Sequence, residues 1–268
     1  MNKVVFENDS IKDSQLNTKK IDLVIEPKND FFTVNSYKFY IHQSCYLNIN
    51  YEVLDDCKLN ICFYIDANVK LTLFEKRMGQ RTKVQYRYYL NDYSVCHLNK
   101  FYDVYGQREL DIINLDGNKA EFHSQLKTIG KDKEKYDMMI YHHNNYSSSN
   151  IINDGVTLID GSIIFNVTSV VPNGVKNCFV NQANHIINLN DKKSQINPNL
   201  LIDENDVVAN HAAYIGNFKQ SVLFYLERLG ISRNEALKLL VRGFLVKGLS
   251  VNAREKEKLK KIIEKYWG

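Results

Sequence analysis

From Cys45 onward, apolar side chains recur at every second position in short runs separated by Asn, Asp and Gly. Leu47, Ile49, Tyr51 and Val53 alternate with polar neighbours, as do Leu59, Ile61, Phe63 and Ile65. Val69, Leu71 and Leu73 continue the pattern, followed by Val84, Tyr86 and Tyr88 and then Leu110, Ile112 and Leu115. A strand sends successive side chains to opposite faces, so this period of two marks half-buried strands. Further runs lie at 137–141, 156–159, 163–167 and 186–189, and short apolar pieces precede them at 21–25 and 31–34. Between the runs stand Asn68, Asn91-Asp92, Asp116-Gly117-Asn118, Asn153-Asp154-Gly155, Asp160-Gly161 and Pro172-Asn173-Gly174, all read as compact turns. Many strands from Cys45 to about residue 210, with no amphipathic helix among them, exclude an α/β fold. An antiparallel sandwich or barrel and a parallel β-helix with coils of roughly twenty residues both remain open. The 17 Tyr and 13 Phe against 3 Pro suit pleated surfaces but do not choose between them. No hexapeptide repeat is visible, which disfavours a left-handed helix.

Near residue 218 the period changes to 3.6. Phe218, Val222, Tyr225 and Leu226 lie at helical spacing, and Gly230 marks a stop. Ser232 and Glu235 form a capping box opening a second helix through Ala236, Leu239, Leu240 and Leu245. Asn252 and Glu255 open a third, with Leu259, Ile262, Ile263 and Tyr266 as its apolar stripe. The expected division is an N-terminal segment (1–40), a β core (41–212) and a small helical C-terminal domain (213–268).

A formal charge of +4 carries no basic footprint for nucleic acid. No segment reaches the ~18–20 apolar residues that span a membrane. The opening Met-Asn-Lys-Val-Val-Phe-Glu-Asn-Asp-Ser has acidic residues where a signal peptide would be apolar. Five cysteines (Cys45, Cys57, Cys62, Cys96 and Cys178) include no C-x-x-C pair, so a reducing cytoplasm or organelle interior is expected rather than a disulfide framework. Cys57 and Cys62 stand five apart, on opposite faces of a strand. Neighbouring Cys96 and His97, like His142 and His143, diverge and do not chelate. There is no P-loop, G-x-G-x-x-G, H-E-x-x-H or G-x-S-x-G. Any nucleotide chemistry belongs to a partner. Asp111, Asp116 and Asp154 are available for a carbohydrate-active β-helix enzyme, but read better as turn or edge residues. A self-associating structural β-helix is a further alternative.

The stretch from Pro198 to Phe244 narrows these choices. Pro198, Leu200, Ile202, Val207, His211, Ala213 and Gly216 follow the register P-x-L-x-I-x4-V-x3-H-x-A-x2-G. Phe224, Tyr225, Leu226, Gly230, Ile231, Glu235, Ala236, Gly243 and Phe244 continue it. This pattern resembles the C-terminal signature of the SufB/SufD family of iron–sulfur cluster assembly proteins. Weaker likenesses at 142–149, 155–167 and 182–190 extend the resemblance over about residues 85–246. The resemblance implies a mainly β fold, a right-handed parallel β-helix with a small helical C-terminal domain. It also implies a non-catalytic subunit pairing with a SufB-like scaffold or with itself. A SufC-like ABC ATPase would bind through Phe224, Tyr225, Leu226, Arg228, Ile231 and Phe244. Scaffold members carry a Cys on the last coil and a Glu after the signature His, positions held here by Ala183 and Ala212. SufD-type chains have Gly after that His, some with a Cys two residues before it; Ala212 and Ala209 occupy those places. The chain therefore resembles a divergent SufD. His211 is the one metal-ligand candidate, for iron or a transient cluster at a dimer interface, and no tightly bound cofactor is expected. Leu229 replaces the family's Arg at the ATPase-binding helix.

Overall fold

The computed structural model describes residues 20–25, 34–51 and 54–267. Phe31 and Val53 lie outside them. One parallel sheet holds β1 (Lys20–Ile25), β3 (Cys45–Tyr51), β6 (Lys70–Gln80), β8 (Val95–Tyr105), β10 (Glu121–Gly130), β12 (Ser148–Thr157), β14 (Cys178–Asn188) and β16 (Val207–Gly216) in that spatial order, with the short β4 (Leu54–Asp55) beside β6. A second runs from β2 (Val34–Ile41) through β5 (Lys58–Ile65), β7 (Lys83–Leu90), β9 (Arg108–Leu115), β11 (Lys133–His142) and β13 (Ser162–Val171) to β15 (Gln195–Ile202). The chain alternates between the sheets and every pairing is parallel, so the molecule is a β-solenoid. The sandwich is excluded. Val95 pairs with Glu121, Glu121 with Ser148 and Ser148 with Phe179, so successive coils take 26, 27 and 31 residues rather than about twenty.

The turns repeat with the coils. Asn68, Tyr93, Lys119, Tyr146 and Asn177 all have φ between 55° and 61° at the corner entering the larger sheet. Gly117 sits at this corner because a Cβ there would lie 2.0 Å from the Asp92 nitrogen. Asn153-Asp154-Gly155 is not a turn; it lies inside β12. Asn153 turns inward and donates to Asn184 Oδ1 at 2.8 Å. Gly155 leaves room for Ile163, whose Cδ1 would stand 2.6 Å from an added Cβ. Turn-forming residue types here serve packing instead.

Three helices follow: α1 (Gln220–Arg228), α2 (Arg233–Val246) and α3 (Ala253–Glu264). Gly230 takes φ +83° beyond α1. Ser232 and Asn252 accept from the backbone N–H groups of Glu235 and Glu255, satisfying donors that helix starts leave free. The helices do not cover the end of the solenoid. Val241, Leu245, Leu249, Leu259 and Ile263 pack with Phe74, Phe101, Ile129, Val156 and Ile187 on the outer flank of the larger sheet. The last coil is consequently open.

Candidate functional site

The open end is formed by β15 and β16, each the terminal strand of its sheet among the described residues. Leu201, Val208, Tyr214 and Ile215 are exposed there. His211 is the register partner of Gln182, a buried bore residue whose amide donates to Ser169 Oγ at 2.9 Å and the Asn199 carbonyl at 3.2 Å. His211 therefore belongs to the inward row of an uncovered coil and is exposed. Ala183 and Ala212 are direct partners, but the alternation of the strands puts them on the outer face, opposite His211. Two methyl groups occupy these positions, and neither can bind metal or sulfur.

Just beyond the coil, α1 buries Leu223 and leaves Phe224 and Tyr225 61% and 63% exposed. The expected stripe is rotated, because Val222 and Tyr225 point outward. Arg228 is exposed, while Leu226 and Ile231 are half-buried. Phe244 turns away and packs edge-on against Phe218, with ring centroids 6.4 Å apart. Gln220, Ser221, Phe224, Glu227 and Arg233 line a shallow cleft of about 330 Å³ beside the exposed ring. Arg233 bridges it, donating to Glu227 and Gln220 at 3.2 Å each.

Deeper in the bore lies a charged cluster that the sequence reading does not assemble. Arg77 donates to Glu109 Oε2 at 2.9 Å and Glu75 Oε1 at 2.5 Å. Lys100 donates to Glu109 Oε1 at 2.7 Å and Asp111 Oδ2 at 2.6 Å. Tyr86 and Tyr102 donate to Glu75, and the Arg77 guanidinium stands 4.2 Å from the Tyr102 ring centroid. All seven groups are buried. Burial by itself raises the pKa of a carboxyl, since a charge in a poor solvent is costly. Lys100 and Arg77 overcome that for Glu109, which stays below its ordinary range. Asp111 is pushed up to about 7 by burial, with Glu109 and Glu75 adding repulsion against the pull of Lys100. Three carboxyls face two cations, so a proton on Asp111 balances the cluster. The arrangement holds charge but offers no route to solvent-borne substrate.

Asp111 is thus a bore residue and not the turn or edge residue its sequence context suggests. Asp154 is also buried, linking Lys127 to His185 Nδ1 at the foot of the helices. Only Asp116, of the three carboxylates considered for glycoside chemistry, stays at a partly exposed corner. Cys57, Cys96 and Cys178 are buried, and Cys62 lies on the outer side of β5. His142 is enclosed between Ser147 and Ser149, and burial with His143 nearby lowers it to about 4. Among the described residues no group of three or more His, Cys, Asp or Glu side chains could hold a metal.

Residues 66–244 match the family described as SUF system FeS cluster assembly, SufBD core domain. The chain belongs to the SufBD family. The matched span runs from the end of β5 through nearly all of α2, and includes the charged bore, the open coil and the exposed face of α1. A similar protein is the iron–sulfur cluster assembly protein SufD of Bacillus subtilis (strain 168), 33% identical over 131 residues. That stretch is 48% of this chain and 30% of the relative, so the chain spans less than a third of the relative's length. Within the SufBD core, the outward Lys127–Asp154–His185 set and the inward Glu75, Arg77 and Lys100 escape sequence reasoning for one reason. Charged residues at in-facing or covered positions look like solvent-facing ones until strand register is known. No helix among the described residues is long and apolar enough to cross a membrane.

Proposed function

We propose that this SufBD-family chain is a non-catalytic, SufD-like subunit of an iron–sulfur cluster assembly complex. It pairs through its open last coil with a SufB-like scaffold or a second copy, and takes a SufC-like ABC ATPase on α1. The observation carrying the reading is the family match over 66–244, whose signature block ends on a helix with two aromatic rings exposed. Large apolar groups on a surface mark contact sites when they cluster. Phe224, Tyr225 and Arg228 form the outward contact set, and Leu226 and Ile231 support it from half-buried positions. Phe244 acts by fixing Phe218 rather than by touching the partner.

Ala183 and Ala212 remove the soft ligands that iron–sulfur chemistry favours, so any iron or cluster is cargo met at the dimer interface. His211 supplies one imidazole there. The glycosidase alternative loses its basis, since Asp111 and Asp154 are both buried. Co-expression with the cognate ATPase should give a complex that survives gel filtration. Phe224→Glu with Tyr225→Glu should abolish it while leaving the circular dichroism unchanged. Failure of the parent chain to bind the ATPase at micromolar concentration overturns the reading. For His211, anaerobic iron and acid-labile sulfide analysis of the complex should show less iron in His211→Ala. Equal iron removes that residue from the interface site.

A further inference from the structure

On the outer face of the larger sheet, away from the open coil, His97 of β8 and His123 of β10 are direct register partners. Their neighbours Cys96, Leu98, Phe122 and Ser124 are buried, so strand alternation turns both imidazoles outward. The ring centroids are 4.8 Å apart with an interplanar angle of 54°, tilted rather than stacked flat. Thr72 flanks the pair on one rung and Asn150 on the other, both small polar residues that leave the face uncovered. Two residues further along, Asn99 accepts from the Ser250 backbone N–H at 3.0 Å, so the pair sits at the rim of the helical layer.

A carboxylate beside the pair suits metal binding. Glu121 Oε2 lies 3.2 Å from His123 Nε2. A carboxylate taking one ring N–H fixes the tautomer and turns the other nitrogen into a ligand, as partners of metal-bound histidines do. Glu121 is therefore an orienting group and not a third ligand, consistent with the absence of any three-residue ligand group among the described residues.

We propose that His97 and His123 form a two-imidazole site for a divalent first-row cation of the imidazole-preferring class, with Glu121 orienting His123. Water completes the coordination. Among such ions Cu(II) binds nitrogen ligands most strongly, followed by Ni(II) and Zn(II). The site does not depend on the assembly role, because it uses neither the open coil nor α1.

The probe is Cu(II) supplied to the full chain as its iminodiacetate complex, which leaves adjacent positions for two imidazoles and disfavours isolated ones. Titration at pH 7.5 should show one equivalent bound, and electron paramagnetic resonance should show two imidazole nitrogens on the copper. His97→Asn and His123→Asn should each weaken binding by about tenfold or more, and Glu121→Gln by roughly tenfold. His211→Ala should leave it unchanged. A spectrum with one imidazole nitrogen, or wild-type affinity in the His97→Asn/His123→Asn double variant, overturns the proposal. The spectrum of the unmodified chain decides the matter even if a variant folds poorly.

Discussion

The early coils and the middle coils share one backbone plan and fill it in opposite ways. In the early coils Phe39, Phe63 and Tyr88 stack with centroids 4.7 and 5.2 Å apart, and Ile49, Leu59 and Ile61 are fully enclosed around them. One or two rungs on, the same inward rows carry Glu75 and Lys100 in line with Ile49, and Glu109 and Asp111 in line with Leu59 and Ile61. Parallel in-register pairing stacks like on like, which makes apolar rows self-consistent. The charged rows need partners from both sheets, and Arg77 and Lys100 supply them across the bore. Apolar packing tolerates small losses by local relaxation, whereas a buried ion network fails when one member goes.

The largest expected effect follows from that asymmetry. Arg77→Met strands Glu75 without its ion-pair partner, leaves Glu109 with Lys100 alone, and should cost about 3–5 kcal/mol of stability. Urea denaturation at pH 7 would read this as a lower midpoint at unchanged slope. Adding Glu109→Gln to Arg77→Met should cost less than the two single changes summed, by roughly 0.5–3 kcal/mol, because the pair is coupled. Strict additivity would mean that the middle coils behave like the early ones.

A second test uses pH, which should touch the middle coils and spare the early ones. Asp111 has its pKa raised from 3.8 to about 7, and burial raises Glu134 from 4.5 to about 8. In both cases the folded chain keeps a proton that the unfolded chain releases, so stability is greatest at the acid end of the window. It should fall as pH rises from about 4 to about 8, by up to about 1.4 kcal/mol per pH unit for each group while it titrates. His142 acts in a lower window with the opposite sign, losing stability as pH drops from 6.5 towards 4. Asp111→Asn should flatten the fall between about pH 4 and 7 and leave the Glu134 portion. An unchanged slope would place the proton elsewhere in the cluster.

The same contrast explains what could be read without coordinates. The apolar coils announce themselves: β5 and β7 appear as clean alternations at 59–65 and 84–88. The strands β8 and β10 do not, because Lys100, Lys127 and Thr128 stand at buried positions and break the two-residue period. Asn153-Asp154-Gly155 reads as a turn for the same reason, the Asn153 amide N–H being paired with Asn184 and the Asp154 carboxylate with Lys127 and His185 from other coils. Local signals that depend only on nearby residues carried through, as the Ser232 and Asn252 caps show. The placement of the helices on the sheet flank depends on Asp103, which pairs with Lys131 of the neighbouring coil and holds Lys265 and Tyr266 across more than 160 residues of sequence, and no local pattern encodes it. At the candidate site, the aromatic residues of α1 were legible as a motif. Which of them faces solvent was not, since helical spacing alone does not say whether Leu223 or Tyr225 turns inward.

The smallest effect tests the apolar half on its own terms. Ile61 is fully buried, partnered by Tyr37 on one side and Tyr86 on the other. Ile61→Val removes one methylene from a close-packed row and leaves no charge or donor without a partner. The cost should be about 0.5–1.5 kcal/mol, set by lost burial and a small residual void. It should not vary between pH 5 and 8, since no titrating group touches the change except through Tyr86, whose hydroxyl burial holds well above its ordinary value. A pH-dependent cost for Ile61→Val would mean that the void reaches the Tyr86–Glu75 contact. The boundary between the two fillings would then be an energetic continuum and not the sharp change from one rung to the next that the side-chain rows describe.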